Sequence, residues 1–238
     1  MKLDILAIGV HPDDVELSCS GTLLKHISLG KKCGIIDLTS GELGTRGSGP
    51  LRLQEAAAAA KILGIEVRDN LGMADGFFKN DKEHQMMIIR KIREYRPEIV
   101  LCNAVADRHP DHGRSAQLVS EAAFYSGLRK IQTEMNGKDQ EAWRPKAVYH
   151  YIQDRLMKPD FVVDVSPYVE KKMEAIKAFR SQFYDPGSNE PESPISVKNF
   201  FDVVLGKMSV WGRDAGFDYA EAFVVERTPG IQDLFDLN

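Results

Sequence analysis

At 238 residues, 43% hydrophobic and 28% charged, the chain has ordinary globular composition and is long enough to bury a core without cross-links. Its formal net charge of −4, with no block of like charges, gives neither the basic footprint of nucleic-acid binding nor a basic membrane face. No apolar run approaches the ~20 residues of a membrane helix, and three cysteines without a Cys-x-x-Cys pair argue against a disulfide framework.

The start, Met1-Lys2-Leu3-Asp4, does not read as a signal peptide. Leu3–Val10 reads as a buried strand, Thr22–Ser28 as a helix closed by Leu29-Gly30, and Cys33–Leu38 as a second strand. Leu51–Leu63 reads as a helix stopped by Gly64, and Ile65–Asp69 as a short strand. His84–Tyr95 is a helix ended before Pro97, Ile99–Asn103 a further buried strand and Gly113–Tyr125 a helix. This alternation predicts an α/β fold: a Rossmann-like, mainly parallel sheet with helices on both faces. The C-terminal half is less regular. Lys146–Ile152, Phe161–Val165 and Glu221–Glu226 read as strands, Tyr168–Phe183 as one long helix, Tyr184–Ser193 as an exposed loop and Asn199–Val210 as a helix. No repeat, low-complexity tract or long linker divides the chain, so residues 1–238 read as one domain. Cys19, Cys33 and Cys102 read as small core residues in a reducing cytoplasm.

The first strand runs into His11-Pro12-Asp13-Asp14. In an open α/β sheet, ligands bind at the carboxyl ends of strands. A solvated loop with an N-cap aspartate accounts for one aspartate there, not for three ionisable groups. The strand Ile99–Asn103 leads in the same way into Asp107-Arg108-His109-Pro110-Asp111-His112-Gly113. Two His/Asp loops past strand ends can converge over the sheet edge. Three ligands of the His/Asp/His kind with an open fourth position describe a catalytic zinc site, and the cysteines lack the spacing of a structural one. His26, His84 and His150 read instead as surface or satisfied core histidines.

Together, His11-Pro12-Asp13-Asp14 and His109-Pro110-Asp111-His112 resemble the signature of the LmbE-like (PIG-L) zinc N-deacetylase family. The resemblance continues through Gly21-Thr22, Leu38-Thr39-Ser40-Gly41-Glu42-Leu43, Arg52 with Glu55-Ala56, Ser181-Gln182-Phe183, and Gly216-Phe217-Asp218-Tyr219-Ala220-Glu221. Within the family the chain is most similar to the bacillithiol-biosynthesis deacetylases, which act on N-acetylglucosaminyl malate. The segment Thr45–Pro50 departs from those relatives. The resemblance implies one Zn2+ per chain held by His11, Asp14 and His112. It implies Asp13 as general base, His109 as the oxyanion-stabilising group and Asp111 as the residue that orients it. Arg52 resembles the family's substrate-contacting arginine. The implied partner is a small amino-sugar substrate, and homo-oligomers are common among the relatives.

Physical chemistry agrees with these roles. Zinc polarises a carbonyl and lowers the pKa of water to about 7. Asp14, as a ligand, cannot also take the proton, whereas Asp13 beside it can. A protonated His109, favoured by the charge of Asp111, would meet the oxyanion. If the substrate carries malate, Arg46, Arg52 and Arg108 are the candidate cations, because a guanidinium grips a carboxylate with two bonds. Two alternatives stay open: a deacetylase of another N-acetyl amino sugar or glycoside, and a non-catalytic binding protein that keeps zinc as a clip. A dinucleotide-binding domain would need Gly-x-Gly-x-x-Gly where this chain has His-Pro-Asp-Asp.

Overall fold

The first two strands, β1 (Ile5–Gly9) and β2 (Cys33–Asp37), are buried at every position, as strands covered on both faces must be. A computed structural model describes residues 1–236. Leu237 and Asn238, the last two of the span read as one domain, lie outside the described residues. Between and after the first strands come α1 (Asp14–Ser28), α2 (Gly49–Leu63), β3 (Val67–Asn70), α3 (Lys82–Tyr95), β4 (Ile99–Cys102) and α4 (Pro110–Ser126). The second half adds β5 (Glu134–Met135), β6 (Lys138–Asp139), β7 (Ala147–Tyr151), β8 (Phe161–Asp164), α5 (Val169–Lys177), α6 (Phe200–Ala215) and β9 (Ala220–Val225).

The main sheet has the order β3-β2-β1-β4-β7-β9-β8. Its first five strands are parallel, and β9 runs antiparallel to both of its neighbours. The expected mainly parallel α/β sheet with helices on both faces is therefore present. Alternate residues of β1 serve the two faces: Leu6 and Ile8 pack with Ile88 and Ile92 of α3 and Leu118 and Val119 of α4. Ile5 and Ala7 pack with Val15, Cys19 and Leu23 of α1 and Ala175 of α5.

Several boundaries differ from the sequence reading for identifiable reasons. α1 starts at Asp14, not Thr22, because nearly every residue from Asp14 to Leu24 is buried. A helix covered all round has no polar face to display its period. The helix expected over Tyr168–Phe183 is a short 3-10 turn, Ser166–Tyr168, followed by α5, which ends at Lys177. Beyond it, the Ser181 amide and hydroxyl donate to Glu55, and Gln182 Nε2 donates to the Arg46 carbonyl. Those bonds turn the chain out of helical geometry. α6 continues past Val210 to Ala215. The hairpin β5–β6, absent from the sequence reading, turns on Asn136 and Gly137 at φ 52° and 73°.

One buried ion pair ties the second half to α1. Lys172 and Glu221 are 0% and 1% exposed, and Lys172 Nζ lies 2.7 Å from Glu221 Oε1. Lys172 also donates to the carbonyls of Glu16 and Leu17, while Glu221 accepts from the amides of Gly21 and Thr22. Breaking a buried pair leaves one charge uncompensated, at a cost of about 3–5 kcal/mol. Lys172→Met should lose that much stability in urea unfolding. Combining it with Glu221→Gln should lose less than Lys172→Met alone, and a single-variant loss under about 1 kcal/mol would show the pair to be inert.

Candidate metal centre

Chain connections leave β1 toward β2 on one side, while β4 lies on the other side and leads toward β7. The strand order thus reverses between β1 and β4, and the loops after these two strands open a crevice. His11, Asp13 and Asp14 follow β1; His109, Asp111 and His112 open α4 after β4. The structure brings all six to this place. Ligand-type atoms of His11, Asp14 and His112 lie within 4.8 Å of one another, and all three residues are buried. A second group of His11, His109 and Asp111 meets the same distance limit and shares His11. His26, His84 and His150 lie in neither group. They meet the Thr22 carbonyl, Asp81, and Glu226 with the Asn103 carbonyl, respectively.

Asp14 is the most heavily bonded of these groups. Its Oδ2 accepts from the amides of Val10 (2.9 Å) and His11 (3.0 Å) and from Asn103 Nδ2 (2.9 Å). Its Oδ1 accepts from Gln153 Nε2 at 3.1 Å and lies 3.3 Å from His112 Nε2. Burial alone would raise its pKa, but the His112 charge and hydrogen bonds from His11 and His112 hold it well below the usual carboxylate range.

Each of the two histidines has a second carboxylate. Asp75, in the segment after β3, places Oδ1 3.0 Å from His11 Nε2, and its Oδ2 accepts from the Leu43 amide. Asp107 places Oδ2 2.6 Å from His112 Nδ1, and its Oδ1 accepts from the Arg155 amide. Burial opposes charge on both rings, yet these carboxylates and Asp14 raise His11 to about 10 and His112 to about 9. The cluster therefore draws positive charge, from protons or from a metal cation, and the two compete for the same nitrogens. Asp75, Asn103 and Gln153 lay outside the sequence reading. The only signal for Asp75 was its place past a third strand end.

Asp13 differs from its neighbour. Its backbone has φ 122°, a conformation that L side chains rarely adopt. It stands at the N-cap of α1, but its side chain caps nothing. Oδ1 lies 3.1 Å from Arg52 Nη2, and the buried Oδ2 has no partner. Burial pushes this carboxyl up to about 7, against the pull of Arg52. Arg52 also donates to the carbonyls of Pro12 and Gly41. Gly41, at φ 65°, is needed there, because a Cβ would collide with the Arg52 guanidinium.

His109 is half-buried, and its Nδ1 accepts from the Asp111 amide at 3.3 Å. That bond leaves the proton of a neutral ring on Nε2. Burial and the charges of His11 and His112 lower its pKa. Asp111 accepts from the Gly76 amide and from Arg114, and meets His109 through its backbone. His11, Asp13, Asp14, Asp75, His109, His112 and Gln153 border a cavity of about 480 Å3, as do Arg46, Arg52 and Arg108. Arg46 donates to the Ser181 carbonyl, with Glu190 at 3.8 Å, and Arg108 is paired with Asp154 at 2.6 Å.

The family described as PIG-L, GlcNAc-PI de-N-acetylase, matches residues 6–123, the stretch that holds this cluster. The conserved protein TT1542 from Thermus thermophilus superposes with a TM-score of 0.85 at 33% identity, over 97% of this chain and 98% of that one. The diacetylchitobiose deacetylase of Thermococcus kodakarensis is 29% identical over 95% of this chain and 84% of its own length. A Bacillus anthracis protein, "Probable N-acetyl-alpha-D-glucosaminyl L-malate deacetylase 2", is 27% identical over 75% of this chain and 81% of its own. The match falls on the His/Asp cluster at the strand-order reversal, and the chain belongs to the PIG-L (LmbE-like) deacetylase family as a metal-dependent hydrolase.

Proposed function

We propose that the chain removes the acetyl group from an N-acetylglucosaminyl conjugate, with one zinc ion held by His11, Asp14 and His112. The observation that carries this reading is the partnerless Oδ2 of buried Asp13, a residue that borders the same cavity as the three-ligand group. Two imidazoles and one carboxylate form a donor set that suits zinc, with room for a further ligand. A bound zinc would polarise the amide carbonyl and make water nucleophilic near neutral pH.

The chain's own residues do the rest. Asp13 takes the proton of the attacking water at its free oxygen and returns it to the leaving amine. Its pKa of about 7 suits it to both steps. Arg52 holds the other Asp13 oxygen, which fixes the aim of the free one. His109, neutral with a proton on Nε2, donates to the developing oxyanion. Asp75 and Asp107 fix the ring orientations of His11 and His112. The three buried, free cysteines fit a reducing cytoplasm.

The finer reading, N-acetylglucosaminyl malate, has support in the B. anthracis relative and in the three arginines at the cavity. Against it, each arginine already faces a carboxylate: Asp13, Glu190 or Asp154. Acetate release should be measured from N-acetylglucosamine, its malate glycoside and N,N′-diacetylchitobiose, with zinc and with chelator. Release from none of them would overturn the reading. Release from all at equal kcat/KM would remove malate as the recognised group.

Four further outcomes are expected. His11→Ala should purify without stoichiometric metal, and full occupancy would remove His11 from the ligand set. Asp107→Asn should weaken zinc affinity about 10–100-fold by competitive chelation, as loss of an outer carboxylate does elsewhere. Asp13→Asn should keep its metal and lose about 10²-fold or more in kcat. In the wild type, falling pH protonates Asp13, so kcat/KM should fall with a one-proton slope on the acid side. The positive charge of a bound ion moves that limb below about 7. An acid limb unchanged in Asp13→Glu and Asp13→Asn would assign it to another group.

A further inference from the structure

The cavity has two unlike sides. One carries the His/Asp cluster. The other is apolar: Phe200, Val204, Met208 and Trp211 recur at helical spacing along one face of α6, and Ile152 and Ile195 join them. Val204, Met208 and Trp211 are 9%, 2% and 8% exposed, so this wall is packed into place from behind. The cation on the same face of α6, Lys207, is occupied: its Nζ donates to the Gln153 and Asp154 carbonyls and lies 3.5 Å from the Asp154 carboxylate. The arginines at the cavity are paired with acids as well. A dicarboxylate brought against this side would meet an apolar surface without a free cation, which is costly to its solvation.

We infer that the α6 wall is a binding surface for an apolar group of the substrate, an alkyl or aryl substituent carried on the amino sugar. This rests on the deacetylase reading above and names the substrate class within it. The group has two possible origins on one sugar, the aglycone and the N-acyl chain, and both offer the same chemistry to the wall. At roughly 25 cal/mol per Å2 of apolar surface, burying about 55 Å2 yields a tenfold gain.

The zinc-loaded enzyme is assayed with N-acetylglucosamine, its hexyl and phenyl glycosides, N-hexanoylglucosamine, the malate glycoside and N,N′-diacetylchitobiose. Binding of each is followed in parallel by the emission of Trp211 in a Trp143→Phe background, since these are the chain's two tryptophans. The inference expects at least one apolar substrate to exceed N-acetylglucosamine about tenfold or more in kcat/KM and to perturb Trp211 emission. The hexyl and phenyl arms assign the wall to the aglycone, the hexanoyl arm to the acyl chain. Val204→Thr and Trp211→Ala should each shrink the ratio of apolar to plain substrate several-fold. If the chitobiose or the malate glycoside matches the best apolar substrate, the wall reads another group and the inference is overturned. It is equally overturned if no apolar substrate gains in rate or shifts Trp211 emission while acetate is still released. Absence of turnover on every sugar overturns the deacetylase reading instead, and Trp211 emission then still decides whether the wall binds apolar sugars.

Discussion

A carboxylate buried where the strand order reverses sets the terms for everything around it. Asp14 is 4% exposed, yet it stays ionised because five donors surround it. An isolated buried carboxylate would be prohibitively costly in solvation energy, so the donors are a condition of its presence. They come from the end of β1 (the amides of Val10 and His11), the end of β4 (Asn103), the segment after β7 (Gln153) and the first turn of α4 (His112). Satisfying one anion therefore fixes where three parallel strands end relative to one another. Asn103 is held in turn by Ser115 of α4, so the same anchoring passes into the helix that carries His112.

The neighbouring carboxylate lives in the opposite regime. Asp13 has one arginine contact and one oxygen without a partner, and burial lifts its pKa as that of Asp14 falls. Adjacent acids of one motif are thus pushed apart in acidity. At φ 122° the Asp13 backbone adopts a conformation rare for L residues, at a strain of about 1–3 kcal/mol. Its side chain does not cap the helix and leaves one oxygen without a partner, and its one ionic contact is with Arg52.

How much of this was legible in the sequence depended on how local each feature is. The parallel half of the sheet could be read because β1, β2 and β4 are short, continuous apolar runs between breakers. The cluster could be read because two motifs each place histidine and aspartate past a strand end, and the carboxyl-end rule brings such ends together. Asp75 was not legible. It reaches His11 across 64 residues, and an aspartate before a glycine in a turn looks like any other turn. The true start of α1 was hidden by uniform burial, and the end of α5 by contacts from Glu55 and Arg46, more than a hundred residues earlier. The contacts of the Asp111 carboxylate were hidden for a related reason. Sequence adjacency puts it near His109, but helical geometry hands its oxygens to Gly76 and Arg114.

The two sides of the cavity come from different parts of the chain, and that division has a physical basis. The candidate metal-binding groups and their carboxylate partners span residues 11–112, on loops anchored to β1, β3 and β4. The apolar wall spans residues 152–211 and rests on α6, which packs against β9 and β8 at the antiparallel edge of the sheet. Among the donors to Asp14, only Gln153 comes from this second part. On the proposed reading, change in α6 alters what the cavity recognises while leaving most of the electrostatic frame around Asp14 in place. The converse does not hold, because every ligand-type group shares a donor or a carboxylate with another. A substitution in the first part spreads through that network, whereas a substitution on the wall exchanges one packed side chain for another of a different shape.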